Sequence, residues 1–188
     1  MPQYRYDYPF SVTIDFSPPT DYNEIGAGPK TKEGSGTMTQ NPTSPPADFE
    51  FCYEWASGTV PPPHHYEITI YAGPGPQGRM DFYPDYGDTP RWEETFSIQP
   101  EAWGELYALM EQRGVFSREW KQVTRRTEGG SLQWLRGVVE GRSFSIPSQP
   151  QQAERLEEVY ASIRALVPER IWDEMRKKRM AYIEEHEQ

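Results

Sequence analysis

Aromatic and aliphatic side chains alternate with polar ones over the first 16 residues of the chain. They occupy every even position from 4 to 16, at Tyr4, Tyr6, Tyr8, Phe10, Val12, Ile14 and Phe16. Alternation with a period of two is typical of a β-strand with one buried face. Pro9 has no amide proton to donate to a neighbouring strand, so we expect an interruption, a bulge or a sheet edge at that point.

The same alternation predicts further strands in the next part of the chain. Four aromatic residues predict a strand over 49–55, namely Phe49, Phe51, Tyr53 and Trp55. The segments 64–72 and 79–83 predict a hairpin, because the glycine- and proline-rich run 73–78 between them is typical of a turn. Burial of one face of that hairpin requires even positions to pair with even ones, which brings together Ile68, Ile70, Met80 and Phe82. Another strand is expected over 92–98.

Helical spacing replaces the alternation in three segments. Pro100 suits the first turn of a helix and Gly114 suits its end, with apolar residues at helical spacing between them. The residues from 153 to 166 carry a second apolar helical face, and a third helix begins at Pro168. Between the first two helices the sequence predicts strands over 120–126, 131–139 and 142–146.

A tripeptide recurs at the end of a strand before each of the first two helices. Phe96-Ser97-Ile98 returns 48 residues later as Phe144-Ser145-Ile146. The recurrence favours a β-β-β-α duplication, although similar strand-to-helix junctions would explain one shared tripeptide equally well. The predicted fold class is α+β, an antiparallel sheet of about seven or eight strands with two or three helices packed on one face.

The length of 188 residues suits one domain, and we expect a single domain over 1–188. Residues 17–47 contain no Leu, Val, Phe or Trp, so they cannot bury enough apolar surface to offset their ordering entropy. This segment is predicted to be a long flexible loop. Residues 168–188 are predicted to form the C-terminal helix.

Composition changes the picture of the core and of the partners. The chain has 8 Phe, 6 Trp and 12 Tyr, which can supply a core that its few aliphatic residues cannot. The first 112 residues carry 5 Lys/Arg against 17 Asp/Glu, whereas the rest carry 14 against 12, so the net charge of −10 belongs to the first part.

Composition also limits the partners and the location. Binding to nucleic acid needs clustered basic residues, and we expect no nucleic-acid partner. No apolar run is long enough to cross a membrane, and the single cysteine excludes a disulfide framework, so a cytoplasmic location is expected.

A candidate ligand site lies on the polar face of the predicted hairpin. His65 and Glu67 share that face with Tyr71 and Arg79, and Asp81 lies near them across the hairpin. Converging His, Glu and Asp side chains suit a divalent metal or acid–base chemistry, but a solvent-facing polar stripe explains the same pattern. We therefore predict neither a metal nor a cofactor.

Other catalytic patterns receive little support. Glu50 and Glu54 share a strand face with Cys52, and their charges raise the pKa of the thiol and reduce its nucleophilicity. No serine lies in a G-x-S-x-G elbow. Gly73, Gly75 and Gly78 match a dinucleotide-binding pattern, but Pro74 and Pro76 remove backbone donors and a strand follows where a helix is required. No catalytic residue is predicted.

These observations lead to two hypotheses of function. The first is a non-catalytic cytoplasmic interaction or regulatory module that presents an aromatic, acidic sheet surface to a protein partner or to a second copy of itself. The alternative is a small-ligand-binding protein or enzyme that uses His65, Glu67, Tyr71, Arg79 and Asp81.

Overall fold

Six of the segments predicted as strands form strands in the computed structural model, which describes residues 44–87, 89–124 and 130–187. These residues belong to the unit Thr39–Gln188. The elements, in chain order, are β1 (Glu50–Ala56), β2 (Glu67–Ala72), β3 (Gln77–Tyr83), β4 (Trp92–Ser97), α1 (Pro100–Arg113), β5 (Leu132–Val139), β6 (Arg142–Ile146), α2 (Glu157–Ala165) and α3 (Glu169–His186). The predicted strand 4–16 and residues 17–43 of the predicted loop lie outside the described residues.

The strands form one antiparallel sheet in the order β4-β3-β2-β1-β5-β6. An α+β fold with an antiparallel sheet is therefore confirmed. The described residues contain six strands where seven or eight were expected. The strand predicted over 120–126 is reduced, within 120–124, to one bridge between Gln122 and Pro150. Because β1 and β6 occupy both sides of β5, that segment has no open position beside β5.

The register of the predicted hairpin pairs even positions with even positions, as predicted. Ile68 lies opposite Phe82 and Ile70 opposite Met80. All four side chains are buried. On the neighbouring strand β1, Tyr53 lies opposite Ile70, so the aromatic face of β1 belongs to the same layer.

All three helices pack on this face of the sheet. Three contacts show it. Phe51 contacts Trp103 of α1, and Tyr53 contacts Tyr160 of α2. Trp92, which stacks on Phe82, contacts Tyr182 of α3. The first helix begins at Pro100 and ends before Gly114, which has a left-handed φ of 76°. The second begins later than predicted, because residues Ala153–Arg155 form a separate 3-10 turn before α2.

The sheet consists of two halves of three strands each. One half is β2-β3-β4, which is followed along the chain by α1, and the other is β1-β5-β6. Only the first half is a continuous β-β-β-α run. In the second half β5 and β6 precede α2, and the third strand is β1, which comes from an earlier part of the chain.

A phenylalanine from each edge strand packs over a glycine of the neighbouring strand. Phe96 of β4 lies opposite Gly78, and Phe144 of β6 lies opposite Gly137. A Cβ atom added at Gly78 would come within 2.4 Å of the Phe96 ring, and one at Gly137 within 2.7 Å of the Phe144 ring. These two phenylalanines are the first residues of the recurring tripeptide, so its recurrence reflects equivalent packing at the two edges.

Alanine at position 78 should therefore destabilise the protein through one defined contact. We expect Gly78→Ala to lower the free energy of unfolding by about 1–3 kcal/mol, because the added methyl group overpacks the site. In a Phe96→Leu background the two closest ring atoms are absent, and the same substitution should cost much less. Urea unfolding of the four proteins of this double-mutant cycle measures the coupling. Equal costs in the two backgrounds would contradict the proposed packing.

Candidate functional site

The face of the sheet opposite the helices carries mostly polar side chains. We call it the polar face, and its members are Glu50, Cys52, Glu54, Glu67, Thr69, Tyr71, Arg79, Asp81, Tyr83, Glu93, Thr95, Trp134, Arg136, Val138, Ser143 and Ser145. The strand pairing sets their neighbours. Cys52 lies between Arg136 and Tyr71, with Arg79 beyond Tyr71. No described helix covers this face.

An ion-pair network surrounds Asp81 at the β3–β4 side of the polar face. Arg91, directly before β4, places Nη2 2.9 Å from Asp81 Oδ2 and 2.6 Å from Glu93 Oε2. Arg79 Nε lies 3.4 Å from Asp81 Oδ1, which is an ion-pair distance, and neither atom makes a hydrogen bond to a described residue. The Arg79 guanidinium also lies 4.3 Å from the centre of the Tyr71 ring. These contacts fix two arginines and a tyrosine around one carboxylate.

Asp81 is 1% exposed, which makes it the most buried acidic side chain of the network. Burial raises the pKa of Asp81 above its usual value. The hydrogen bond from Arg91 and the charges of Arg79 and Arg91 oppose that rise. The carboxylate is therefore held by the arginines against a cost of desolvation.

A second network lies at the centre of the polar face. Arg136 Nη2 donates to Glu54 Oε1 at 2.7 Å and lies 3.9 Å from Cys52 Sγ. Burial, together with the charge of Glu54, raises the pKa of the Cys52 thiol to about 12. The predicted direction of this shift is confirmed, with burial as its largest cause. Because the thiolate is the nucleophilic form, this cysteine is poorly suited to attack.

His65 lies in a third network, two residues before the start of β2. Its Nε2 is 3.0 Å from Glu67 Oε1, and its Nδ1 is 3.0 Å from Ser57 Oγ and 3.1 Å from the Gly58 carbonyl oxygen. The imidazole is 2% exposed and stacks on the Tyr86 ring at 3.6 Å.

Ser57, His65 and Glu67 form a hydrogen-bonded series of hydroxyl, imidazole and carboxylate, which is an arrangement that nucleophilic catalysis uses. Ser57 Oγ, however, also accepts a hydrogen bond from the Tyr66 amide at 3.1 Å. The Tyr86 hydroxyl donates to the carbonyl oxygens of Gly58 and Val60, at 3.2 and 2.9 Å. The network therefore ties the connection between β1 and β2 to the segment after β3, and we assign it a structural role.

The structure thus divides the five predicted site residues into two groups. His65 and Glu67 are in contact, and Tyr71, Arg79 and Asp81 form a second group. The division follows from the register, because Glu67 lies opposite Tyr83 whereas Asp81 lies opposite Thr69. Over the described ranges, no three His, Cys, Asp or Glu side chains are arranged to hold a metal ion.

Sequence analysis did not identify four further members of these networks. They are Ser57, Tyr86, Arg91 and Arg136. Of these four, only Arg136 could have been assigned to the polar face from the sequence. It alternates with Gln133 and Leu135 in a predicted strand and so belongs to the face opposite the core. Ser57, Tyr86 and Arg91 lie outside the strands, where no periodicity indicates a direction.

Comparison with known proteins adds no assignment. No protein-family model matches this chain, and no curated protein matches its sequence. None of the helices in the described part of the chain combines the length and the apolar character that a membrane span requires.

The raised pKa of Cys52 predicts slow chemical modification. At about pH 8, we expect iodoacetamide to alkylate the folded protein about a thousandfold more slowly than the urea-unfolded chain, because the thiolate fraction is smaller by that factor. Mass spectrometry of timed samples measures both rates. Since the chain has one cysteine, the unfolded protein is its own control. Similar rates in the two states would contradict the burial of Cys52.

The raised pKa of Asp81 predicts how stability depends on pH. A carboxyl whose pKa is higher in the folded than in the unfolded state loses folded-state stability as the pH rises through the folded pKa. Asp81→Asn lacks this ionisation. We therefore expect the free energy of unfolding of the variant, relative to the wild type, to increase from about pH 3 to about pH 6.

Urea unfolding at constant ionic strength measures this difference. Glu93→Gln controls for the loss of one negative charge in the same network. A relative stability of Asp81→Asn that decreases over this pH range would show that the two arginines outweigh burial.

Proposed function

We propose that this protein is a non-catalytic interaction module that binds a protein partner through the polar face of its sheet. The observation that carries the proposal is the concentration of tyrosine, tryptophan and arginine on a face that no described helix covers. These residues are Tyr71, Tyr83, Trp134, Arg79, Arg91 and Arg136. Tyr, Trp and Arg are the residue types that most often dominate the binding energy of protein interfaces.

The ion pairs support this proposal because they hold the arginines in place before binding. Arg136 is 48% exposed and pairs with Glu54, and Arg91 is 42% exposed and pairs with Asp81 and Glu93. Side chains that are already ordered lose less conformational entropy when a partner binds. The backbone of Arg136 belongs to the hydrogen-bonded sheet, which provides a rigid support, and Arg91 directly precedes β4.

The charge of the polar face indicates the chemistry of the partner. The polar face carries five carboxylates. With Arg91 included, because it pairs with two of them, the arginines number three, so the net charge of the polar face is negative. A partner surface with an excess of Lys and Arg around an apolar centre complements it. The partner is either a different protein or a second copy of this chain, and in both cases it must contribute such a basic surface.

The alternative, a small-ligand site around His65, Glu67, Tyr71, Arg79 and Asp81, has less support. The two groups of side chains belong to separate networks. Two cavities of about 440 and 590 Å³ lie elsewhere, and none of the five residues lines either of them. Small ligands usually bind in concave sites, whereas a broad sheet face suits a macromolecule.

Photo-crosslinking of the full chain in its own cells tests the proposal. A photoreactive phenylalanine replaces Thr69 at the centre of the polar face, and a matched control replaces Ala181, which is exposed on α3. We expect a discrete protein adduct from position 69 that is absent from position 181. Mass spectrometry then identifies the partner, and an adduct of twice the chain mass identifies a second copy.

Purified partner allows the test to be made quantitative. Tyr71→Ala and Arg136→Ala should each weaken binding by about tenfold or more, while Arg170→Ala on α3 should leave it unchanged. Salt should weaken the complex, because the charges are complementary. Equal adducts at both positions, or wild-type affinity of both polar-face variants, would overturn the proposal.

A further inference from the structure

A cleft of about 440 Å³ lies at the start of β5, away from the polar face. Its first wall is the beginning of β5, with Gln133. Its second wall is the bridged pair of segments around Gln122 and Pro150, and its third is one side of α2, with Glu157, Tyr160 and Arg164. The three residues of α2 are three and four positions apart, so they form one stripe of the helix.

Arg164 is held in the cleft by neutral groups. Its Nη1 donates to the Tyr53 hydroxyl at 2.8 Å and to Gln133 Oε1 at 3.2 Å, and Tyr53 donates to the same Oε1 at 2.7 Å. The indole N–H of Trp172 donates to the Arg164 carbonyl oxygen at 3.3 Å, which fixes the backbone as well. The guanidinium therefore has a defined position before any ligand binds.

No described carboxylate forms an ion pair with Arg164. Six other arginines of the described chain pair with Asp or Glu, namely Arg79, Arg91, Arg113, Arg136, Arg142 and Arg176. The Arg164 Nε and Nη2 groups make no hydrogen bond to a described residue. A half-buried cation with remaining donors, beside a cleft, is suited to an anion.

Tyr160 provides a second unused donor in the cleft wall. Its side chain is 5% exposed, and its hydroxyl has no hydrogen-bond partner among the described residues. Burial raises the pKa of Tyr160, so the hydroxyl remains protonated at neutral pH. A buried hydroxyl without a partner costs free energy, which a ligand acceptor would recover.

The other walls restrict the class of anion. The planar guanidinium matches a carboxylate, which it can bind through two parallel hydrogen bonds. Glu157 places a negative charge in the same cleft, which disfavours a dianion such as phosphate relative to a singly charged group. Val123, Pro150 and the Tyr160 ring offer apolar surface for the body of the ligand.

We propose that this cleft binds a small monocarboxylate with an apolar or aromatic body, with Arg164 on the carboxylate and Tyr160 as a second donor. The site is independent of the polar face and of the proposed protein partner. Neither Arg164 nor Tyr160 is assigned a catalytic role.

Calorimetric titration of the full chain with phenylacetate tests the proposal. Phenylacetamide, which has nearly the same shape without the charge, and inorganic phosphate are the comparison probes. We expect phenylacetate to bind at least about tenfold more tightly than either, because the charge-assisted bonds to Arg164 require a singly charged carboxylate. Equal affinity for phenylacetamide, or no binding of phenylacetate at millimolar concentration, would overturn the proposal.

Two variants and one control locate the site. Arg164→Met should weaken phenylacetate binding about ten- to a hundredfold, and Tyr160→Phe should weaken it about tenfold or less. Arg170→Met removes an exposed arginine of α3 outside the cleft and should leave the affinity unchanged. Wild-type affinity of Arg164→Met would place binding elsewhere.

Glu157→Gln keeps the test decisive if Arg164→Met fails to fold. Glu157 is exposed and makes no described hydrogen bond or ion pair, so its replacement should preserve the fold. Loss of its negative charge should strengthen phenylacetate binding about two- to fivefold and leave phenylacetamide unaffected. An unchanged or weaker affinity for phenylacetate would contradict the proposed position of the carboxylate.

Discussion

Burial of the aromatic face of β1 is the constraint on which both surfaces of the sheet depend. Phe51 contacts Trp103 of α1, and Tyr53, which is fully buried, contacts Tyr160 of α2. Because β1 is one of the two central strands, these contacts join the helices to the middle of the sheet. Alternation along the strand then directs Cys52 and Glu54 to the opposite face, where Glu54 fixes Arg136.

Local periodicity predicted most of the elements, whereas pairing over long distances limited the prediction of the site. The placement of Ile68 and Met80 on the same face could be predicted because one face of the hairpin must be buried. The separation of His65 from Asp81 was not, because it depends on the register across the hairpin. Arg91 joins Asp81 from a position just outside a strand, where no repeating pattern assigns a direction. The absence of a full strand near Gln122 has a similar cause, since β1 already occupies the position beside β5.

The two halves of the sheet show how equivalent packing can arise from little shared sequence. Phe96 and Phe144 each pack over a glycine, Gly78 or Gly137, at opposite sides of the sheet. Beyond that contact the halves differ, because the cleft with Arg164 lies beside β5 and α2 of one half. The polar face, by contrast, extends over the strands of both halves.

The place of β1 in the sheet also has a consequence for the order in which the chain folds. Hairpins from β1 to β4 join neighbouring segments, so they can form as soon as the chain reaches α1. Tyr53 and Gln133, by contrast, are 80 residues apart, and Glu54 and Arg136 are 82 apart. Closing contacts over such distances is slow. During synthesis on the ribosome, the edge of β1 that pairs with β5 therefore lacks this partner until β5 has emerged, and the centre of the polar face is completed after the hairpins of β1 to β4.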